Sequence, residues 1–185
     1  TIRFNRPDKL NASRDEMTIA LFEALREFDA DGAANVAVLC GAGRAFSTGA
    51  DVRQRQLRPR EELERLGGPQ GHGARAGDLL LHSVNWKPVI AAVHGYVMGL
   101  ATGIMFDSDL IVAEEGTQIQ ATELARGLGG ARHWATMRFR GAAAFGTEMA
   151  LTGRSFSAEE AFENGLINRV APKGAYMDVA YELAR

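Results

Sequence analysis

Only one cysteine, Cys40, occurs among 185 residues. It cannot close an internal disulfide, and its isolation fits a reducing compartment, so a cytoplasmic protein is expected. The four histidines are scattered and, beside a single thiol, show no ligand spacing, which argues against a metal centre. Neither sign of charge dominates. The 21 Lys and Arg against 23 Asp and Glu leave a net charge of −2, which gives no sign of a nucleic-acid or anionic-membrane surface. No apolar run approaches the ~20 residues of a membrane span, and no signal-peptide pattern is visible. Tandem repeats and low-complexity segments are missing as well.

What is present is the composition of an ordinary globular domain, 46% apolar and 24% charged, long enough for one sizeable core. Ser13-Arg-Asp-Glu16 has capping-box spacing, and Met17, Ala20, Leu21, Ala24, Leu25 and Phe28 follow at helical intervals up to Asp31-Gly32. Val36–Cys40 and Val89–Val93 are short apolar runs feeding glycine, the pattern of buried strands. Further strands are expected at Leu110–Ala113 and Thr117–Gln120, and helices from near Gly99, over Ala131–Arg140 and over Tyr176–Arg185. A second box, Ser157-Ala-Glu-Glu160, opens a helix that stops at Asn164-Gly165. Residues 53–76, rich in Arg, Glu and Gly, read as a mobile surface segment, with a helix after it leading to Trp86. Strands alternating with helices predict one α/β domain over 1–185 with a largely parallel core.

The loop Gly41-Ala-Gly-Arg-Ala-Phe-Ser-Thr-Gly-Ala-Asp51 invites three motif readings, and each fails on a named residue. A dinucleotide loop needs glycine where Phe46 stands. A phosphate loop needs Gly-Lys-Ser/Thr where Gly49-Ala-Asp51 stands. A nucleophile elbow around Ser47 needs glycine where Ala45 stands. What remains is a backbone function: small residues let a ligand approach main-chain N–H groups, which suit a developing oxyanion. The second strand-to-glycine junction, residues 95–103, offers the same device at a helix N-terminus. Two tight turns without a ligand remain the alternative.

Four segments stand in order along nearly the whole chain: Asn5–Ala12 (NRPDKLNA), Gly41–Asp51, Lys87–Gly99 (KPVIAAVHGYVMG) and Leu151–Val170 (LTGRSFSAEEAFENGLINRV). Together they resemble the crotonase (enoyl-CoA hydratase/isomerase) superfamily. The resemblance implies a ββα superhelix, a spiral of short strands and helices, assembled as trimers or dimers of trimers. It implies an acyl-CoA thioester as substrate and no separate cofactor. The thioester oxygen would be held by two backbone N–H groups, which map onto Ala50 and Leu100; the family often has glycine at the second place. CoA would lie near Lys9 and Leu10 and along the second segment, at Arg44, Ala45, Phe46, Ala50, Asp51 and Val52. Lys9 either meets a CoA phosphate or is a solvated loop lysine. The resemblance also implies a strand before Thr1 and helices after Arg185 that help cover the CoA site, often that of a neighbouring subunit.

The resemblance makes the carboxylates decisive. Hydratases of the family use two glutamates. One maps onto Gly103, which cannot transfer a proton, and the other onto Glu123. One base beside an oxyanion hole can take a proton next to a thioester carbonyl and return it at another carbon. That is isomerisation, and the family's Δ3,Δ2-enoyl-CoA isomerases resemble this pattern. Hydration should then be slow unless another side chain substitutes. Decarboxylation or C–C cleavage through the same enolate, or a catalytically silent acyl-CoA-binding member, are the alternatives. Among other polar residues, His94 reads as structural and Asp107 and Asp109 as capping or pairing groups. Arg132 and His133 follow the stretch 127–130, which is shorter than the family's usual loop. Residues 53–82 are expected to shape the acyl pocket.

Overall fold

The computed structural model describes residues 1–55, 57, 59, 61, 62, 85–128 and 130–185. Among them, five parallel strands form one sheet: β1 (Ile2–Phe4), β2 (Ala37–Gly41), β3 (Val89–Val93), β5 (Leu110–Glu114) and β8 (Arg169–Ala171), in that spatial order. A smaller sheet joins β4 (Tyr96–Met98), β6 (Gln118–Gln120) and β7 (Phe156–Ser157). The expected parallel core is therefore present. Its three inner strands are apolar and covered on both faces, as parallel strands are.

The chain climbs as a spiral. Each turn lays one strand in the large sheet, a second in the small one, and then a helix. β3, β4 and the helix Leu100–Asp107 make one such turn, and β5 with β6 begin the next. In the two earlier turns the second strand shrinks to a single bridge, Ser13 beside Ala50 and Ser47 beside Val97. This is the ββα arrangement that the family resemblance implies, built without any repeat of sequence. In chain order the helices are α1 (Asp15–Ala30), α2 (Val52–Arg55), α3 (Leu100–Asp107), α4 (Ala131–Phe139), α5 (Ala143–Thr152), α6 (Ala158–Glu163) and α7 (Tyr176–Leu183). None among the described residues is long and apolar enough to cross a membrane.

Alternation along each inner strand divides the core in two. Leu39, Ala91 and Ile111 face α1 and α3 within a large cluster that holds Leu25, Phe46, Met105 and Phe106. Val38, Cys40, Ile90, Ala92 and Val112 face the other way and are covered by α7. Cys40 is buried there as a small apolar side chain.

The two capping boxes part company. At Ser157 the box forms: the Glu160 N–H donates to Ser157 Oγ at 3.2 Å and the Ser157 N–H to Glu160 Oε2 at 2.9 Å. At Ser13 it does not, and α1 begins after Arg14 with no side-chain cap. The loop at Gly49–Asp51 has taken the Ser13 backbone, with Ser13 N–H donating to Gly49 O and Asp51 N–H to Ser13 O. The Ser13 hydroxyl pairs with Thr18 Oγ1 at 3.0 Å. Tertiary pairing has overridden a local signal. The sequence also hid β1, β4, β7, β8, α5 and α2, the last lying where a mobile segment was expected; most of these are strands of two or three residues, too short to show a period. Beyond residue 62, the expected surface segment and the helix before Trp86 lie outside the described residues.

Arg140, just past α4, ties three elements together. Its guanidinium donates to the carbonyls of Leu166, Phe106 and Ser108 at 3.1, 3.0 and 2.9 Å. Arg140→Met keeps the bulk and leaves those carbonyls without this donor. A loss of about 1–3 kcal/mol is expected, read as a lower urea midpoint at unchanged m-value.

Candidate active site

Two glycine-bearing junctions dock backbone to backbone. Phe46 N–H donates to His94 O at 2.9 Å, Ser47 N–H to Tyr96 O at 3.2 Å, and Met98 N–H to Ser47 O at 3.1 Å. Gly95 (φ +64°) and Gly49 (φ +86°) make the approach possible. A Cβ on the first would fall on the Arg44 carbonyl oxygen, and on the second upon that of Met98. The Gly49 position would also be 3.1 Å from the Leu100 nitrogen. The start of α3 is thus set against Gly49-Ala50. Among the described residues, neither the Ala50 nor the Leu100 N–H donates a hydrogen bond.

Ser47 is occupied elsewhere. Its hydroxyl donates to Asn11 O at 2.8 Å and accepts from the Gly49 N–H at 3.1 Å, and it is 2% exposed. It belongs to the fabric of the loop. Asn11 is the matching clamp on the first segment. Its amide donates to Ala42 O and Ala45 O, and its Oδ1 accepts from the Arg6 N–H, all at 2.8 Å. Sequence reasoning quoted Asn11 only within a motif. Leu10 and Asn11 both sit at positive φ, and the Thr48 N–H donates to Leu10 O. The two segments matched to the CoA region are therefore adjacent.

Their side chains divide. Lys9 and Arg44 are exposed, and Leu10, Ala50 and Val52 half-buried. Ala45 and Phe46 are fully buried, with the Phe46 ring edge-on to Phe4 at 5.3 Å. These two can offer a ligand backbone alone. Asp51 is engaged within the protein: its Oδ2 accepts from Arg6 Nη1 at 2.6 Å and lies 3.6 Å from Arg14 Nε, and its Oδ1 accepts from the Arg53 N–H at the start of α2. The Arg6 hydrogen bond holds the Asp51 carboxyl below the usual carboxylate range.

β4–β6 pairing carries Glu123 to the same place. Met98 lies beside Gln120, and the Gly99 N–H donates to Gln120 O at 2.9 Å. Glu123, three residues on, brings Oε1 within 3.4 Å of where a Cβ on Gly99 would stand. The carboxylate thus lies over the residue that precedes Leu100. Its Oε2 is buried and has no hydrogen-bond partner among the described residues.

The space beside Gly103 is filled from another helix. A Cβ there would lie 3.0 Å from Nε2 of His133, on α4. That nitrogen is 3.1 Å from Gly99 O and 3.6 Å from Glu123 Oε1. Next along α4, Arg132 pairs with the buried Asp107 at the end of α3, which fixes the two helices against each other. The pairing expected of Asp107 is met by Arg132. Asp109 Oδ2 accepts from the Val89 N–H. His94 Nε2 bonds Gly43 O at 2.8 Å, and its ring stacks on Tyr176. The structural role expected of His94 fits both contacts.

Residues 1–185 match the family described as enoyl-CoA hydratase/isomerase. A probable enoyl-CoA hydratase of Mycobacterium tuberculosis H37Rv is 33% identical over 196 residues, covering 99% of this chain and 66% of that protein. The 1,2-epoxyphenylacetyl-CoA isomerase of Escherichia coli K12 is 33% identical over 190 residues, covering 100% of this chain and 71% of that one. The crystal structure of a probable enoyl-CoA hydratase/isomerase from Mycobacterium abscessus superposes with a TM-score of 0.82 at 31% identity, covering 98% of this chain and 68% of that one. The chain therefore spans about two thirds of the length of such relatives.

Two outcomes follow from the packing. A carboxyl depressed on folding adds stability that is full above its unfolded value of ~3.9 and is lost as pH falls through the folded one. Asp51→Asn should be less stable than the parent near neutrality, with the gap in urea midpoints starting to close only below about pH 4, as pH falls toward the folded value. Gly103→Leu should cost about 1–3 kcal/mol by overpacking His133. Adding His133→Ala should return most of that loss, a non-additivity read from the double-mutant cycle.

Proposed function

Because the chain belongs to the enoyl-CoA hydratase/isomerase family, we propose that it acts on an acyl-CoA thioester, moving a proton beside the thioester carbonyl, with double-bond isomerisation ahead of hydration. The thioester oxygen accepts from the Ala50 and Leu100 N–H groups. These donors sit in rigid backbone, so they need little reorganisation as charge develops on that oxygen. Glu123 takes the proton from the carbon next to the carbonyl. The C–H electron pair becomes the enolate, and the proton goes back at the far carbon of the original double bond.

The observation that carries this reading is the Glu123 carboxylate, one oxygen buried and unpartnered among the described residues, held over Gly99 next to an N–H that donates to none of them. A buried polar atom without a partner marks a place where a further group belongs. Gly103 offers no second carboxylate, which is why water addition ranks lower. Lys9 and Arg44, exposed on adjacent segments, are suited to the CoA phosphates. Assembly as a trimer or dimer of trimers, in the cytoplasm, belongs to the same proposal.

The full-length protein should convert a 3-enoyl-CoA to the conjugated 2-enoyl-CoA, followed by absorbance and mass. Glu123→Gln should lower kcat by about 10²–10⁴-fold while acyl-CoA still binds. Fast hydration of crotonyl-CoA would overturn the preference for isomerisation. Tight binding with no turnover of either substrate would overturn the enzymatic reading.

A further inference from the structure

The mechanism above leaves a buried imidazole beside Glu123 unused. His133 is 7% exposed, and its Nδ1 has no hydrogen-bond partner among the described residues. Its Nε2 points at the start of α3: 3.1 Å from Gly99 O, 3.6 Å from Glu123 Oε1, and close above Gly103. The absent side chain at Gly103 is what makes room for it. Glu123 Oε2, on the facing group, is likewise buried and unpartnered. A carboxylate and an imidazole 3.6 Å apart are close enough to pass a proton, and each has a buried atom that no described residue satisfies. The Arg132–Asp107 pair anchors the helix that presents the ring, so the arrangement is held from behind.

We infer that His133 is a second proton-transfer residue, working as a relay with Glu123. This rests on the enolate chemistry proposed above. Glu123 takes the proton from C2 of the 3-enoyl thioester, and the C–H electron pair forms the enolate. The imidazolium of His133 gives its Nε2 proton to C4 as the electrons return and leave C2=C3. The proton now on Glu123 then passes to His133, which restores carboxylate and imidazolium. No proton or electron is gained or lost. Two carriers remove the need for one carboxylate to reach both carbons.

Isotope transfer tests this. A 3-enoyl-CoA deuterated at C2 is turned over beside unlabelled substrate, and the product masses are read. With the relay, the proton reaching C4 is not the one removed from that molecule. The wild type should therefore show deuterium crossing to other product molecules or to water, with little kept within one molecule. His133→Gln keeps a donor in the Nε2 position but cannot carry a proton. It should lower kcat by about 10²-fold at unchanged KM and raise intramolecular retention, since Glu123 alone then carries the label. His133→Ala with added imidazole should recover part of the rate, which holds the test open even if the glutamine variant folds poorly. Equal retention in wild type and His133→Gln, or full activity in that variant, overturns the relay while leaving the enolate reading intact. No turnover of any 3-enoyl-CoA by the wild type overturns both.

Discussion

Everything at this site depends on main chain meeting main chain at Gly49 and Gly95. The Phe46–Ser47 segment and the His94–Met98 segment exchange backbone hydrogen bonds, and at those two glycines an added methyl would fall on a carbonyl oxygen. Side chains could not bring two strand ends this close. Once they are that close, the Gly49-Ala50 loop and the Leu100 N–H, from two different turns of the spiral, are brought side by side. A hydrogen-bond donor held by backbone geometry needs no rotamer to be frozen, which keeps the entropic cost of organising it low.

The surrounding side chains make that approach rigid. Asn11 gives both amide protons to the loop, Ser47 gives its hydroxyl to Asn11 O, and Arg6 reaches Asp51. These are polar residues working inside the fold, and they leave the Ser47 hydroxyl and the Asp51 carboxylate engaged within the protein. On the other side, β4–β6 pairing places Glu123, and α4 places His133. The site is thus assembled from four separate stretches of chain, none of which holds enough of it to act alone.

How much of this was legible in the sequence differs residue by residue. The inner strands could be read because Val36–Cys40 and Val89–Val93 are continuous apolar runs, and these coincide with β2 and β3 to within a residue. Glu123 came from register within the family resemblance, and no local pattern around it singles it out. Ser13 and Ser157 show the limit of local rules. Both head the pattern Ser-x-x-Glu, yet at Ser13 the loop claims the backbone that a cap would need. His133 was visible as a residue but not as a neighbour of Gly103, since nothing in the spacing of α3 and α4 says which faces meet. The short strands β1, β4, β7 and β8 escaped because they are defined by their partners and not by a period of their own.

The covering of the large sheet has a consequence for the order of events in folding. One face, with Val38, Cys40, Ile90, Ala92 and Val112, is closed by α7, a helix that follows every strand of that sheet along the chain. A ribosome releases those strands well before the helix that shields them. Until Tyr176–Leu183 emerges, the nascent sheet holds an oily flank towards water, open to chaperones or to a second nascent chain. Closure of that flank pairs residues far apart in the sequence, the kind of contact that is made late in folding.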